Sequence, residues 1–437
     1  MRSMLALVGL ALLPVAVQAA PTVLTLEQAL KAAREHQPQL QQARAATEVA
    51  RARADQARAA LLPQLEASGA YSRSTGNYVA RPGSLPSSVT QQSGSSSSWA
   101  TTGFYNLGVS LSELVWDFGA SSSRWGAAKA SAASQQESER ASLLQTLTTV
   151  RVIFFQARAA KGLVAVASQS LENQDRHLKQ VEAFVEVGTK PAIDLAQSRA
   201  DRANALVQLI NAQNGYETAK AQLNQAMGVE GPSDYDVSDE VFPSVSGEER
   251  SGEELLAEAL SGRPEVAAAE RAMRAQALTL RAARADYWPS LAASTGLTDA
   301  GGQLGDLSWN WSAALNVSVP LFRGGATQAQ VREAKWGLEA AKAQADTVRQ
   351  QVRLDVEQAR LAVRAAKAAL DAAGDALVNA QELLRLAEGR YETGVGSIIE
   401  LGDAQVALTA AAQQKVQAEY TVATARAQLI RAIGRIS

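Results

Sequence analysis

The sequence predicts an α+β membrane protein built from two copies of one unit, in which two strands are followed by a long helix. Three observations support this fold class: an export signal at the N-terminus, an internal duplication of the remaining chain, and regular apolar patterns. Apolar residues alternate in the predicted strands and recur every seven residues in the predicted long helices. Strands and helices are therefore both expected, in the same order in each copy.

The N-terminal residues 1–19 have the pattern of a secretory signal peptide. Arg2 supplies the positive charge, residues 5–17 are apolar, and Val17-Gln18-Ala19 resembles a small-residue cleavage site. A short anchor helix is the alternative, but about 14 apolar residues are too few to span a bilayer. We expect cleavage after Ala19 and export of the mature chain.

The duplication is visible as matching residues at fixed offsets. They lie 226 positions apart early in each copy and 206 positions apart later. The first group is Thr25 with Ser251, Pro38 with Pro264 and Pro63 with Pro289; the second is Gly188 with Gly394, Asp194 with Glu400 and Gly228 with Gly434. The change of offset predicts an insertion in the first copy between about residues 71 and 106, where a Ser/Gly-rich stretch indicates a surface loop.

The offsets define the predicted organisation of the chain. The signal peptide, residues 1–19, precedes a first repeat at 20–228, a Pro/Gly/acidic linker at 229–250 and a second repeat at 251–437. Each repeat is predicted to contain a helix, a strand, a loop, a second strand, a long helix, a tight turn and a last helix.

Heptad patterns predict that the long helices pack against long partners. From about residue 325 to 392 the chain lacks Pro and is rich in good helix formers, which gives a helix roughly 100 Å long. One apolar track consists of Val356, Val363, Leu370, Leu377, Leu384 and Tyr391, and a second of Val352, Ala359, Ala366, Ala373, Ala380 and Ala387. Such a seam is typical of left-handed coiled coils.

Alternation in the predicted strands is typical of transmembrane β-strands. The face expected to contact outer-membrane lipid consists of Trp309, Trp311, Leu315, Val317 and Val319, whereas small polar residues occupy the other face. A strand of a soluble sandwich would look similar over one segment. Because four strands cannot close a transmembrane barrel and open edges are not tolerated in lipid, the chain is expected to oligomerise through its strands.

The sequence resembles the TolC family of outer-membrane efflux proteins over essentially the whole mature chain. The resemblance rests on the duplication, on the strand-exit sequences LVWDFG and VPLFRGG, and on the turns VEVGTKPAIDLAQSR and GRYETGVGSIIELGDAQ. It implies a homotrimer whose twelve strands form one barrel in the outer membrane. It also implies a coiled-coil helical barrel in the periplasm, where a periplasmic adaptor (membrane fusion) protein connects it to an inner-membrane pump or secretion ATPase.

The resemblance also assigns roles to residues near the two turns. The adaptor-contact tips are Val187, Gly188, Thr189, Lys190, Gly394, Val395, Gly396 and Ser397. Glu400 and Asp403 match the acidic residues of the periplasmic mouth, where three chains would form stacked carboxylate rings that favour cations and raise each other's pKa. A solvated acidic helix face is the alternative.

Two further residues match the links that close the mouth. Tyr391 and Asp194 stand at the positions of a polar gate link, although Tyr391 also ends a heptad track and a packing role is an equal alternative. The Arg found in some members corresponds to Gly396 here, so either the closed state is weaker or another residue such as Lys190 helps.

The function expected from these features is a passive export duct for efflux or type I secretion. No catalytic residue, metal site or cofactor is predicted, because the only histidines, His36 and His177, occupy non-equivalent helix positions. The balance of 42 Lys and Arg against 44 Asp and Glu in 437 residues does not indicate a nucleic-acid partner. The alternative is a periplasmic coiled-coil scaffold without a pore, which predicts a purely helical chain.

The composition adds one further expectation. The chain contains no Cys, so disulfides and thiolate chemistry are excluded, and so is the lipid-attachment site of an exported lipoprotein. This favours the unlipidated type of the family, which also serves one-step protein secretion. The exported cargo is not predicted, since the inner-membrane partner selects it.

Overall fold

A computed structural model describes residues 22–75 and 99–436. The predicted signal peptide and most of the predicted Ser/Gly-rich loop lie outside the described residues. None of the helices in the described ranges combines the length and the apolar character needed to cross a membrane.

The same order of elements occurs twice. The first series is α1 (Leu26–His36), α2 (Pro38–Ala59), β2 (Gln64–Thr75), β3 (Thr101–Trp116), α3 (Ala120–Glu186) and α4 (Ala192–Met227). The second series is α5 (Gly252–Gly262), α6 (Pro264–Ala285), β5 (Ser290–Gln303), β6 (Asp306–Ser318), α7 (Ala326–Glu392) and α8 (Ile398–Ala432). Two short strands, β1 (Thr22–Leu24) and β4 (Tyr235–Val237), complete the fold.

The single helix predicted at the start of each repeat is in fact two helices. Gln37 and Arg263 have extended backbone conformations and separate α1 from α2 and α5 from α6. Each precedes a proline, whose ring disfavours the helical conformation in the residue before it but suits the first position of a new helix. Both prolines were part of the sequence pattern, but their effect on the helix was missed.

Each of these breaks is packed against the end of the last helix of its own repeat. Gly228 and Gly434, both with left-handed backbones, follow α4 and α8. A Cβ atom at Gly228 would lie 2.7 Å from the Cα of Gln37, and one at Gly434 would lie 2.8 Å from the carbonyl carbon of Gly262. Only glycine allows this close approach of the two backbones.

The chain divides into two compact units. The first includes residues 22–43, 139–264 and 349–436. The apolar tracks predicted in α7 are buried here at Val352, Val356, Ala359, Val363, Ala366, Ala373, Ala380, Leu384, Ala387 and Tyr391, which confirms the heptad seam. Leu370 and Leu377 are partly buried.

The segment between the repeats is held to this first unit by a short sheet and by charged groups. β4 pairs in parallel with β1. The Glu248 side chain is only 7% exposed, and its carboxylate accepts hydrogen bonds from Arg426 Nε at 3.0 Å and from Lys367 Nζ at 3.1 Å. Lys161 Nζ donates to Asp236 Oδ2 at 2.8 Å. The predicted linker therefore has a defined path along the helices.

The second unit, residues 44–138 and 265–348, contains an antiparallel sheet of order β2-β3-β5-β6. The register places Leu297 of β5 opposite Val109 of β3 on one side and opposite Trp311 of β6 on the other. Since residues directly opposite share a face, the apolar residues of three strands lie on one side of the sheet. β2 and β6 form its two outer edges.

Candidate functional site: two helix turns and an apolar sheet face

The two turns between the long helices have the same backbone. Gly188 and Gly394 both have a φ of 76°, in the left-handed region that favours glycine. In the first turn the backbone N–H groups of Thr189 and Lys190 donate to the Phe184 carbonyl, at 2.9 and 3.3 Å. Val395 and Gly396 donate to the Arg390 carbonyl in the second turn, at 3.1 and 2.8 Å. The structure thus repeats the turn together with its hydrogen bonds.

The residues predicted as tips are not equally accessible. Val187 and Val395 are 70% and 72% exposed, and Gly188, Thr189, Gly394 and Ser397 are exposed as well. Gly396 is buried, and a Cβ atom there would lie 3.0 Å from Arg390 and Tyr391. Lys190 is partly buried, because its Nζ lies 4.3 Å from the centre of the Tyr391 ring. Six of the eight residues therefore form an exposed surface at the turns.

Tyr391 lies in a buried cluster that joins the long helices beneath the turns. Val181, Leu384, Leu401 and other apolar residues surround it, and only 2% of its surface is exposed. The Tyr391 hydroxyl has no hydrogen-bond partner among the described residues. Within this chain the geometry favours the packing role, and the gate link to a neighbouring chain stays a prediction.

Asp194 and His177 form a buried polar layer beside Tyr391. The His177 ring lies edge-on to the Tyr391 ring, with 5.3 Å between their centres. Burial lowers the pKa of His177, although the charges of Asp201 and Asp194 oppose this shift. Burial raises the pKa of Tyr391, and Asp194 adds to the effect. Asp194 thus interacts electrostatically with the predicted link residue without donating or accepting a hydrogen bond to it.

Glu400 and Asp403, the predicted mouth carboxylates, have different surroundings. Arg390 Nε lies 2.9 Å from Glu400 Oε1, so Glu400 forms an ion pair across the second turn. Asp403 instead lines an open groove of about 720 Å³ between α4 and α8, together with Asp194 and Asp201. Glu400 and Asp403 therefore lie on the same helix, but within the described residues only Glu400 is paired with a cationic side chain.

The predicted lipid-facing residues lie on the apolar face of the sheet in the second unit. Trp309, Trp311, Leu315 and Val317 belong to β6 and are exposed, Trp309 by 75%. Val319 is exposed too, but it follows the last residue of the strand. Leu107 and Val109 of β3 extend the same exposed face.

An aromatic cluster at the helix end of the sheet was missed by sequence reasoning. Phe118 stacks on Trp288 with 5.3 Å between ring centres, and Trp116 contacts Phe118 edge-on at 6.0 Å. Phe118 is the one non-glycine residue with positive φ in the described part of the chain. Asp117 accepts hydrogen bonds from the N–H groups of Gly119 and Ser121, which fixes this turn. The strand-exit sequence LVWDFG shows Trp116 and Phe118, but the contact of Phe118 with Trp288 is visible only in the structure.

His177 and Arg390 were also not assigned to the site. The sequence assigned no role to His177 beyond its helix position, and the structure places it in the buried layer. Arg390 directly precedes Tyr391, and a basic residue ten positions before Glu400 across a turn was the available signal. Groups of His, Asp or Glu that could hold a metal are absent from the residues that the structure describes.

Long antiparallel helix pairs joined by exposed turns, with an antiparallel sheet whose apolar face is exposed, define an outer-membrane channel fold. The family model for outer membrane efflux proteins matches residues 29–229 and 255–435, and the chain belongs to this family. It is therefore a protein of the outer membrane, as the sequence predicted.

Individual relatives are distant but cover much of the chain. The outer membrane efflux protein BepC of Brucella suis is 26% identical over 83% of this chain and 77% of its own length. The solvent efflux pump outer membrane protein SrpC of Pseudomonas putida is 26% identical over 68% of this chain and 64% of its own length. The crystal structure of VceC from Vibrio cholerae matches with a TM-score of 0.80 and 19% identity, over 94% of this chain and 96% of that one. The fold class is confirmed.

Proposed function

We propose that three copies of this chain form a passive export duct of a tripartite efflux or type I secretion system. The duct is not an enzyme and needs no cofactor. An inner-membrane pump or secretion ATPase supplies the energy, and a periplasmic adaptor connects it to the helix turns. The repeats at 20–228 and 251–437 each supply half of the sheet and half of the helical wall, and residues 229–250 link them.

The observation that carries this proposal is the sheet. Its apolar face is exposed, and its outer strands β2 and β6 have unpaired edges within the described residues. An apolar face of this kind suits lipid, but backbone groups at an open edge cannot be left unsatisfied there. β2 and β6 run in opposite directions, so β6 of one copy can pair antiparallel with β2 of the next. Three copies then give a closed sheet of twelve strands.

The aromatic residues at both ends of the sheet support the same placement. Tyr105 and Trp116 are eleven residues apart on β3, which is about 36 Å along a strand. A strand tilted by about 40° would then separate the two aromatic bands by roughly 28 Å, close to the apolar height of outer-membrane barrels. Trp288 and Phe118 would lie at one interface, and Tyr105 and Trp309 at the other.

Exposed isoleucines beside the turns support docking of the adaptor. Ile193 and Ile399, at equivalent positions of the two repeats, are 74% and 71% exposed. Large apolar residues exposed beside the predicted tips are suited to a protein partner. Replacing both with Asp should abolish export while the oligomer still forms; normal export by this variant would contradict docking at the turns.

Cysteine crosslinking tests the closed sheet directly, because the natural chain has no Cys. Ala67→Cys on β2 would be combined in turn with Ala313→Cys, Leu315→Cys and Val317→Cys on β6. We expect at least one combination to give a covalent three-chain ladder after oxidation of intact outer membranes. Each single-cysteine variant serves as control. Monomers for all three combinations, in protein that is correctly inserted, would contradict the proposal.

The scaffold alternative is not supported. It predicts a purely helical chain, whereas the structure contains a sheet of four strands.

A further inference from the structure

The ion pair between Arg390 and Glu400 changes which charges a permeating ion meets at the turns. Arg390 is in the last turn of α7, and Glu400 in the first turn of α8. The Glu400 N–H donates to Ser397 Oγ at 3.2 Å, which fixes the start of α8 and so the position of Glu400. Its carboxylate is then free to meet Arg390 Nε at 2.9 Å. The pair therefore follows from the turn itself.

The two carboxylates of the groove between α4 and α8, Asp403 and Asp201, have no such cationic partner among the described residues. Asp403 is exposed and Asp201 partly exposed, and both line the groove between α4 and α8. Asp201 accepts hydrogen bonds from the neutral Gln197 side chain at 3.0 and 3.2 Å. Neither forms an ion pair with any residue in the described ranges. Their negative charges are uncompensated by the chain.

We infer that Arg390 is a specificity-determining residue of the proposed duct: it neutralises Glu400 and leaves charge selection to Asp403 and Asp201. This inference rests on the proposed function, since it concerns the ions that pass the turns. The sequence predicted two equivalent carboxylate rings, one of Glu400 and one of Asp403. In the proposed trimer the Glu400 ring is instead neutralised by Arg390, and the Asp403 ring keeps its negative charge. Asp201, from the first repeat, then adds to the uncompensated charge.

The first repeat shows that the compensation is specific to the second. Phe184 stands 206 positions before Arg390, and Asp194 stands 206 positions before Glu400. The first turn therefore has a carboxylate at the position of Glu400 but no cation at the position of Arg390. Asp194 is instead buried beside Tyr391 and His177. The duplication alone does not produce the ion pair.

The test is the cation-over-anion permeability ratio of the full-length protein in planar bilayers, measured from reversal potentials in a KCl gradient. Salt near 0.1 M keeps the screening length close to 10 Å. We expect Arg390→Gln to raise the ratio about twofold or more, because a unit charge that passes within about 8 Å of a permeating ion changes the occupancy of that ion by about this factor in water. Arg390→Lys should leave it unchanged.

Paired variants separate charge compensation from other effects. Glu400→Gln should lower the ratio, because Arg390 is then left unpaired. The double variant Arg390→Gln with Glu400→Gln should return to the ratio of the unmodified protein, and Asp403→Asn should lower it. Arg360→Gln is the matched control: it removes the cation of another ion pair on α7, the partly exposed pair with Glu357, about 45 Å along the helix.

The outcomes distinguish this inference from the proposed function. An unchanged ratio for Arg390→Gln, in oligomers that conduct normally, would overturn the role of Arg390 and leave the duct intact. An equal rise for Arg360→Gln would also overturn it, since the effect would not be local. An unmodified protein that inserts as an oligomer but never conducts would contradict the duct itself.

Discussion

The first turn, after α3, and the second turn, after α7, have the same backbone conformation but different side-chain contacts. Both have a left-handed glycine and the same hydrogen bonds to a carbonyl. The first contributes Lys190 and a buried Asp194, whereas the second contributes Tyr391 and the ion pair of Arg390 with Glu400. The two copies thus share the geometry of the turn, but they differ in the residues that pack beneath it and in those that carry charge.

The largest expected effect comes from removing the ring that joins the two turns. Tyr391→Ala should destabilise the helical region by about 3–5 kcal/mol, because a fully buried aromatic side chain leaves a cavity. The equivalent change in the first repeat, Val185→Ala, should cost less, since Val185 is only partly buried. Thermal unfolding followed by helical circular dichroism measures both. Equal losses would show that the copies pack alike.

The turn glycines should behave identically in the two copies. Gly188→Ala and Gly394→Ala each place a Cβ atom in a left-handed backbone, at a cost of roughly 1–2 kcal/mol. No atom lies within 4 Å of either added Cβ, so the conformation itself is the cost. A clear difference in melting temperature between the two variants would contradict the shared geometry.

Removing the Tyr391 hydroxyl alone should have a small and favourable effect. The hydroxyl is buried without a hydrogen bond among the described residues, so Tyr391→Phe should stabilise the protein by up to about 1 kcal/mol. If Tyr391 only packs, the basal conductance of this variant stays the same. A higher basal conductance would instead support the gate link with Asp194.

The smallest effect concerns pH. The pKa of His177 is lowered in the folded protein, so its contribution to stability is present above the unfolded value of about 6.5 and is lost as the pH falls through the folded value. His177→Leu should flatten the melting temperature between pH 7 and 5. The exposed His36 is the control, and His36→Gln should leave the slope unchanged.

Regular patterns made the fold predictable from the sequence. The seven-residue repeat of α7 and the alternation of β6 depend only on which face of an element is buried or exposed, so both were recovered. The helix breaks at Gln37 and Arg263 were not predicted. The prolines that follow them were used only to match the two repeats, although a proline also disfavours the helical conformation in the residue before it.

The charges of the site were harder to predict. Glu400 and Asp403 are three residues apart on one helix, which suggested equal roles, but only the folded turn brings Arg390 to Glu400. The burial of His177 likewise depends on Tyr391, which is more than two hundred residues away in the sequence. Contacts across helices are not encoded in a local pattern.

The mass of the oligomer extracted from the outer membrane tests the account most directly. Native mass measurement of the mature protein in mild detergent should give a single species of three chains, which the crosslinks between β2 and β6 hold together after denaturation. A stable single chain with its sheet intact would contradict the duct, because an open four-stranded sheet would then be the final state of the protein.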